Sequence, residues 1–154
     1  MRHTLIGFIG ICMIVTVFSK DLTIGQLRKT LGHDVVSVQH HTRPLNIPGG
    51  KWLDKNLGIH HSGNVFKTAS GDTWLSHKVP GKLGKGGNTV ITSAQHMSSN
   101  WKASGREHKV KPGFTLSDAI KAGGKNYNVF KSNCNDASCN QLFQINKHNF
   151  GSRG

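Results

Sequence analysis

The longest apolar stretch comes first. Residues 5–18 are almost unbroken, with Ile6, Phe8, Ile9, Ile11, Met13, Ile14, Val15 and Val17. Arg2 and His3 precede the run, and Val17 and Ser19 suit the small-residue positions before a cut at about Ser19/Lys20. That pattern is a secretory signal peptide. The run is shorter than the ~20 residues that span a bilayer, and no second long apolar run follows. Beyond it the periodicity is short and mixed. Leu27 and Leu31, four apart before Gly32, predict a short helix within residues 20–32. Residues 33–50 read as an irregular lead-in, with Val35, Val36 and Val38 as a short strand. Residues 52–67 lead into the first clear strand, residues 73–79 form the second and residues 88–92 the third. Residues 80–87 form a Gly/Lys-rich loop, residues 93–100 hold one helical turn, and residues 107–110 add a short strand.

Thr115-Leu116-Ser117-Asp118 resembles a capping box with Asp in the place of Glu, and Gly123-Gly124 supplies the stop. Residues 127–130 are extended or turn-like. The last helix covers residues 134–145, with Ala137, Leu142 and Ile145 on its buried side, and residues 148–154 read as a frayed tail. The class is α+β: a small antiparallel sheet with helices packed on one side. The expected organisation is a signal peptide at 1–19, a lead-in at 20–51, one domain at 52–147 and a tail at 148–154.

Charge adds a surface property. The formal net charge is +13, from 20 Lys and Arg against 7 Asp and Glu. Cleavage removes only Arg2 among these, leaving about 135 residues, one domain with one modest core. So basic a surface attracts polyanions. The positive residues are spread out, with no dense block, so no dedicated nucleic-acid site is expected. An anionic surface, a microbial envelope or lipid head groups, suits an exported protein better.

The hairpin brings two histidines together. Ala69-Ser70-Gly71 fits a three-residue loop, a type I turn closed by a left-handed glycine. Thr68 then faces Asp72 and His77 faces Gly63. His61 shares that face, as a diagonal neighbour of His77 at roughly 7–8 Å between backbones. His60 points to the other face. A loop of two or four residues would reverse the parity and select His60.

Cleavage also removes Cys12 and leaves Cys134 and Cys139. A thiolate at a helix start is stabilised by unpaired N–H groups and the helix dipole, and a nearby imidazole activates it further. The same N–H groups can hold an oxyanion. Two outcomes stay open. If the helix forms, residues five apart sit at roughly 8–9 Å and the thiols stay separate. If the segment is a loop, the disulfide closes, as an oxidising compartment favours. Asn133 either orients the cysteine or caps the helix.

The order of His61 on a strand before Asn133-Cys134 at a helix start reverses that of papain. His61-Ser62-Gly63-Asn64-Val65 follows a His-x-Gly-hydrophobic pattern, with Asn64 in the usual apolar position. Trp74-Leu75-Ser76-His77-Lys78, His96-Met97-Ser98 with Trp101, Ala122-Gly123-Gly124 with Tyr127, and Ala137-Ser138 extend the set. Over about residues 52–145 the chain resembles small secreted members of the circularly permuted papain-like superfamily. That superfamily includes the lecithin retinol acyltransferase-like and PPPDE peptidase families, with NlpC-type peptidases as relatives. The resemblance implies that Cys134 is the nucleophile, His61 the base and His77 the second polar residue; Asn133, beside the cysteine, and His60, the alternative base, are taken as supporting residues.

The resulting expectation is a secreted, monomeric thiol hydrolase or acyltransferase acting on an amide, ester or thioester. The alternative is a non-catalytic cationic binding or host-defence protein on the same scaffold, with Cys134 joined to Cys139. No cofactor and no metal is expected. His40-His41 and His60-His61 lack zinc-type spacing, and residues 82–87 lack the P-loop pattern. Trp52, Trp74 and Trp101 are expected in the core or a groove wall.

Overall fold

The computed structural model describes residues 24–79, 87–125 and 133–151. The expected signal peptide, the 80–86 loop segment and residues 127–130 lie outside them. The elements run α1 (Ile24–Leu31), β1 (Val35–Pro44), α2 (Gly50–Leu57), β2 (His60–Thr68), β3 (Thr73–Lys78) and β4 (Thr89–Ser93). A 3-10 turn (Ala94–His96) precedes β5 (Lys102–Ala103), β6 (His108–Lys109), α3 (Leu116–Gly123) and α4 (Cys134–Gly151). The fold is α+β. One six-stranded sheet has the order β4-β3-β2-β1-β5, with β6 also on β1, and every pair is antiparallel.

The β2–β3 hairpin follows its turn chemistry. Gly71 sits at φ 90°, and the Thr68 N–H donates to the Asp72 carbonyl at 2.9 Å. The register is the expected one: Gly63 pairs with His77 and Phe66 with Trp74. α3 carries the full capping box between Thr115 and Asp118. At its other end the buried Lys78 ammonium donates to the Gly123 carbonyl at 3.3 Å and the Lys125 carbonyl at 3.2 Å. A cation at a helix C-terminus answers the unpaired carbonyls there. Burial lowers the Lys78 pKa, and the Asp136 carboxylate opposes that shift.

Several elements differ from the sequence reading, the unpredicted β5 among them. The lead-in at 33–50 holds a ten-residue strand, β1, paired with β2, β5 and β6. A helix, α2, precedes β2 and ends on Gly58 in the left-handed region. α4 continues through residues 148–151 instead of fraying. His148 bonds the Lys111 carbonyl at 3.1 Å, and the Asn149 amide donates to the Lys109 carbonyl at 2.9 Å. Those bonds tie the last helical turns to the loop after β6.

The core fixes which face of the sheet is which. Val38, Phe66, Trp74 and Ile91 pack against Leu116, Ala119, Ile120 and Ile145 of α3 and α4. Strand alternation then places Ser62, Asn64, Ser76 and Lys78 on this helix-covered face. Their neighbours His61, Gly63, Leu75 and His77 point to the opposite face. A Cβ on Gly63 would meet the His77 Cβ at 2.9 Å and Leu75 Cδ1 at 3.1 Å. On that face the segment after β4 brings Trp101 over both histidine rings, at 5.5 Å from His61 and 5.6 Å from His77. Of the three tryptophans, Trp74 is core and Trp101 a groove wall, but Trp52 is 59% exposed on α2.

Candidate functional site

Asn133 caps α4. Its side-chain oxygen accepts from the N–H groups of Asn135 (2.8 Å) and Asp136 (3.1 Å), while the Asp136 carboxylate accepts from the Asn133 N–H at 2.9 Å. The reciprocal pair fixes the helix start. It also occupies two of the donors that an oxyanion would use, leaving the N–H of Cys134 itself. Cys134 is the first residue of an 18-residue helix and only 6% exposed. Cys139 is exposed, and both thiols are free. Because both lie in one regular helix, five residues apart, their backbones stand too far apart for a disulfide.

A buried polar network seats the first half of α4. The Asn64 amide donates to the Ser138 carbonyl at 3.0 Å and to Gln141 Oε1 at 2.9 Å, and Asn64 Oδ1 contacts His40 Nδ1 at 3.0 Å. Gln141 Nε2 donates to Ser76 Oγ (2.8 Å) and to the Ala119 carbonyl (2.9 Å). Ser138 Oγ lies 3.4 Å from Ser62 Oγ. The contacts advance together along α4 and β2: Ser138 at Ser62 and Asn64, Gln141 at Asn64, Ile145 in the cluster with Phe66. Cys134 lies one turn, about 6 Å, before Ser138. His60 lies two residues, about 6.6 Å, before Ser62 on the same face. The two extrapolate to the same end of the helix-covered face. His60 Nδ1 is 3.3 Å from Asp54 Oδ1 of α2, a carboxylate that holds the ring.

The expected partners of Cys134, His61 and His77, form a hydrogen-bonded pair. His61 Nε2 and His77 Nδ1 are 2.9 Å apart, so the structure brings this pair together as the hairpin parity requires. They occupy the opposite face, and among the described residues no hydrogen bond joins either ring to Cys134. What links the two sides is Arg43, a residue the sequence reading did not single out. Arg43 pairs with His61 across the β1–β2 ladder, and its guanidinium carbon lies 5.2 Å from the Trp101 ring centroid. Burial lowers its pKa, and the electrostatic attraction of Cys134 opposes that. Asp54 was also missed. Its only sequence signal is its position six residues before His60, which is meaningful once α2 is known to turn back on β2.

Both histidines of the pair are held neutral. Burial first, then His77, Arg43 and His60, push His61 down from 6.5 to about 3. Burial and then Arg43 push His77 down to about 4. An unfolded histidine takes up its proton near 6.5, so at mildly acid pH the unfolded chain binds more protons than the folded one. The stability contributed by the neutral pair is therefore full above about pH 6.5 and declines as pH falls towards 4. Urea midpoints will drop across this window, and His77→Asn will flatten the drop. A midpoint that rises on acidification, or an unchanged slope in the variant, would contradict this assignment.

No group of three His, Cys, Asp or Glu is gathered as a metal site among the described residues. No helix among them is long and apolar enough to cross a membrane. No protein-family model, curated protein or solved structure matches the chain.

Proposed function

We propose that this is an exported thiol hydrolase or acyltransferase acting on an amide, ester or thioester, with Cys134 as the nucleophile. The observation that carries the reading is a free, buried cysteine opening a capped 18-residue helix, and the parallel advance of α4 along β2 supports the Asp54-held His60 as its base. His60 takes the Cys134 thiol proton, and the thiolate adds to the carbonyl carbon. The tetrahedral oxyanion faces the Cys134 N–H. Its collapse expels the amine, alcohol or thiol, which takes the proton back from His60. Water or an acceptor alcohol then cleaves the acyl-thioester by the same steps in reverse. Asp54 keeps the imidazole in one tautomer, as the third member of a nucleophile–base–orienter set does. The residue order that resembles the permuted papain-like superfamily supports the same nucleophile. It assigned the base to His61, whereas strand alternation favours His60.

Iodoacetamide labelling tests the nucleophile. Cys134 is buried and Cys139 exposed, so accessibility alone predicts faster labelling of Cys139. A thiolate at Cys134 predicts the reverse order below about pH 8. Equal rates, or faster labelling of Cys139, would count against the enzyme.

One observation favours the binding reading. Around α2, Ile47, Trp52, Leu57 and Ile59 are 46–59% exposed beside Lys51 and Lys55. Apolar side chains with lysines suit the interface of an anionic bilayer. Association with anionic vesicles will then weaken as salt rises, since exposed charges are screened beyond roughly 10 Å at 0.1 M. Affinity flat in salt, or untouched by Trp52→Ala, would remove this reading.

A further inference from the structure

The face of the sheet away from α3 and α4 carries a second cluster, which the thiol chemistry does not use. A cleft of about 390 Å³ opens there, lined among others by Arg43, Asn46, His77, His96, Asn100 and Trp101. Arg43 forms one edge. Its guanidinium rests against Trp101, which limits its orientations, and among the described residues it makes one hydrogen bond, from Nη1 to the Pro44 carbonyl at 3.2 Å. A guanidinium has five N–H donors. No carboxylate lines the cleft, and no carboxylate pairs with Arg43 among the described residues. The site is therefore a half-buried cation without a carboxylate partner among the described residues, positioned by an aromatic wall.

The remaining lining groups suit the same sign of ligand. The amides of Asn46 and Asn100 supply neutral donors. His77 Nδ1 is engaged with His61, so the His77 Nε2 is the ring atom left for the cleft. If the His61 Nε2–H donates to His77 Nδ1, the His77 Nε2 carries a hydrogen and is a further donor. An oxyanion beside Arg43 selects that arrangement, because the alternative tautomer turns a lone pair toward negative charge. Met97 and Leu75 add apolar contact for whatever the anion is attached to.

We propose that this cleft is a binding site for a small oxyanion-bearing ligand, a carboxylate or a phosphate monoester, anchored by the fork of Arg43. Fork-to-oxyanion pairing is bidentate, and Lys cannot reproduce it. The proposal is independent of the thiol reading and stands or falls without it.

Titration of the intact exported protein with phenyl phosphate and with benzoate, by calorimetry, tests it. One saturable site is expected for at least one of them, and the tighter arm names the oxyanion. Arg43→Gln will weaken binding at least tenfold, and Arg43→Lys will fall between it and wild type. Lys109→Gln, the same charge change elsewhere on the sheet, will leave affinity unchanged. In wild-type protein the Trp101 indole N–H resonance will shift with the same saturation curve, which keeps the test valid should Arg43→Gln fold poorly. Absence of saturable binding for both anions, equal losses in Arg43→Gln and Lys109→Gln, or an unmoved Trp101 signal would overturn the proposal.

Discussion

Cys134→Ala will lose turnover of an activated ester or thioester by on the order of a thousandfold or more, as removal of a covalent nucleophile does. The fold will survive. Cys134 is more than two turns before Leu142, the nearest α4 residue packed on the main apolar cluster, and α4 is seated by Asn64, Gln141 and its cap rather than by the thiol. His60→Ala will cost about 10²- to 10⁴-fold, the range for a positioned general base. Asp54→Asn will cost less, because it removes an orienting carboxylate and leaves the imidazole. His61→Ala will cost under about tenfold, although it removes the most buried histidine of the pair. The comparison of the two adjacent histidines is decisive, since each variant removes the same group from one side of one strand. A large loss in His61→Ala with a small one in His60→Ala returns the base to His61 and places the reacting thiol within reach of the other face. Full turnover in Cys134→Ala removes the mechanism altogether.

The sequence revealed local geometry better than it revealed the packing of faces. The β2–β3 register was readable because a three-residue loop with Gly71 sets parity by itself. The capping box of α3 was readable for the same reason. Parity states that His61 and His77 share a face; it does not say whether a helix covers that face. The usual guide is that the buried face of a strand is apolar. Here Ser62, Asn64 and Ser76 lie fully buried beneath α4, so the covered face of β2 looked like the wet one. The part of β1 beyond Val38 was hidden by the same effect. Val38, His40 and Thr42 face the helices, while His41 and Arg43 face the other way, so no apolar alternation marks the strand. α2 carries Leu53 and Leu57 four apart before Gly58, the same signal that predicted α1, but it lies where the chain was read as leading into a strand. The tail past Ile145 carries polar residues, and two of them, His148 and Asn149, are used to dock the helix rather than to solvate it.

That buried polarity has a measurable consequence. Asn64 is fully buried and satisfies both amide hydrogens and its oxygen, through Ser138, Gln141 and His40. Asn64→Leu keeps the branched shape, with somewhat more bulk, but strips a partner from each of them. Gln141 suffers most, because its Oε1 is left buried without the donor that Asn64 supplied. Stranding a buried acceptor costs about 1–3 kcal/mol beyond the lost bond, so a total of about 2–4 kcal/mol is expected. For a domain of this size that lowers the melting temperature by about 10 °C. Gln141→Leu alone will cost a similar amount by exposing the complementary groups. The double variant will be less destabilised than the sum of the two, because removing both amides leaves fewer orphans between α4 and β2. Simple additivity in that cycle would mean that the two amides act separately. The network also holds the start of α4 over β2, so Asn64→Leu will slow iodoacetamide labelling of Cys134 relative to Cys139 under conditions where the protein remains folded. An unchanged labelling ratio in a destabilised variant would separate the two roles, with Asn64 holding the fold together while the cap at Asn133 alone positions the thiol.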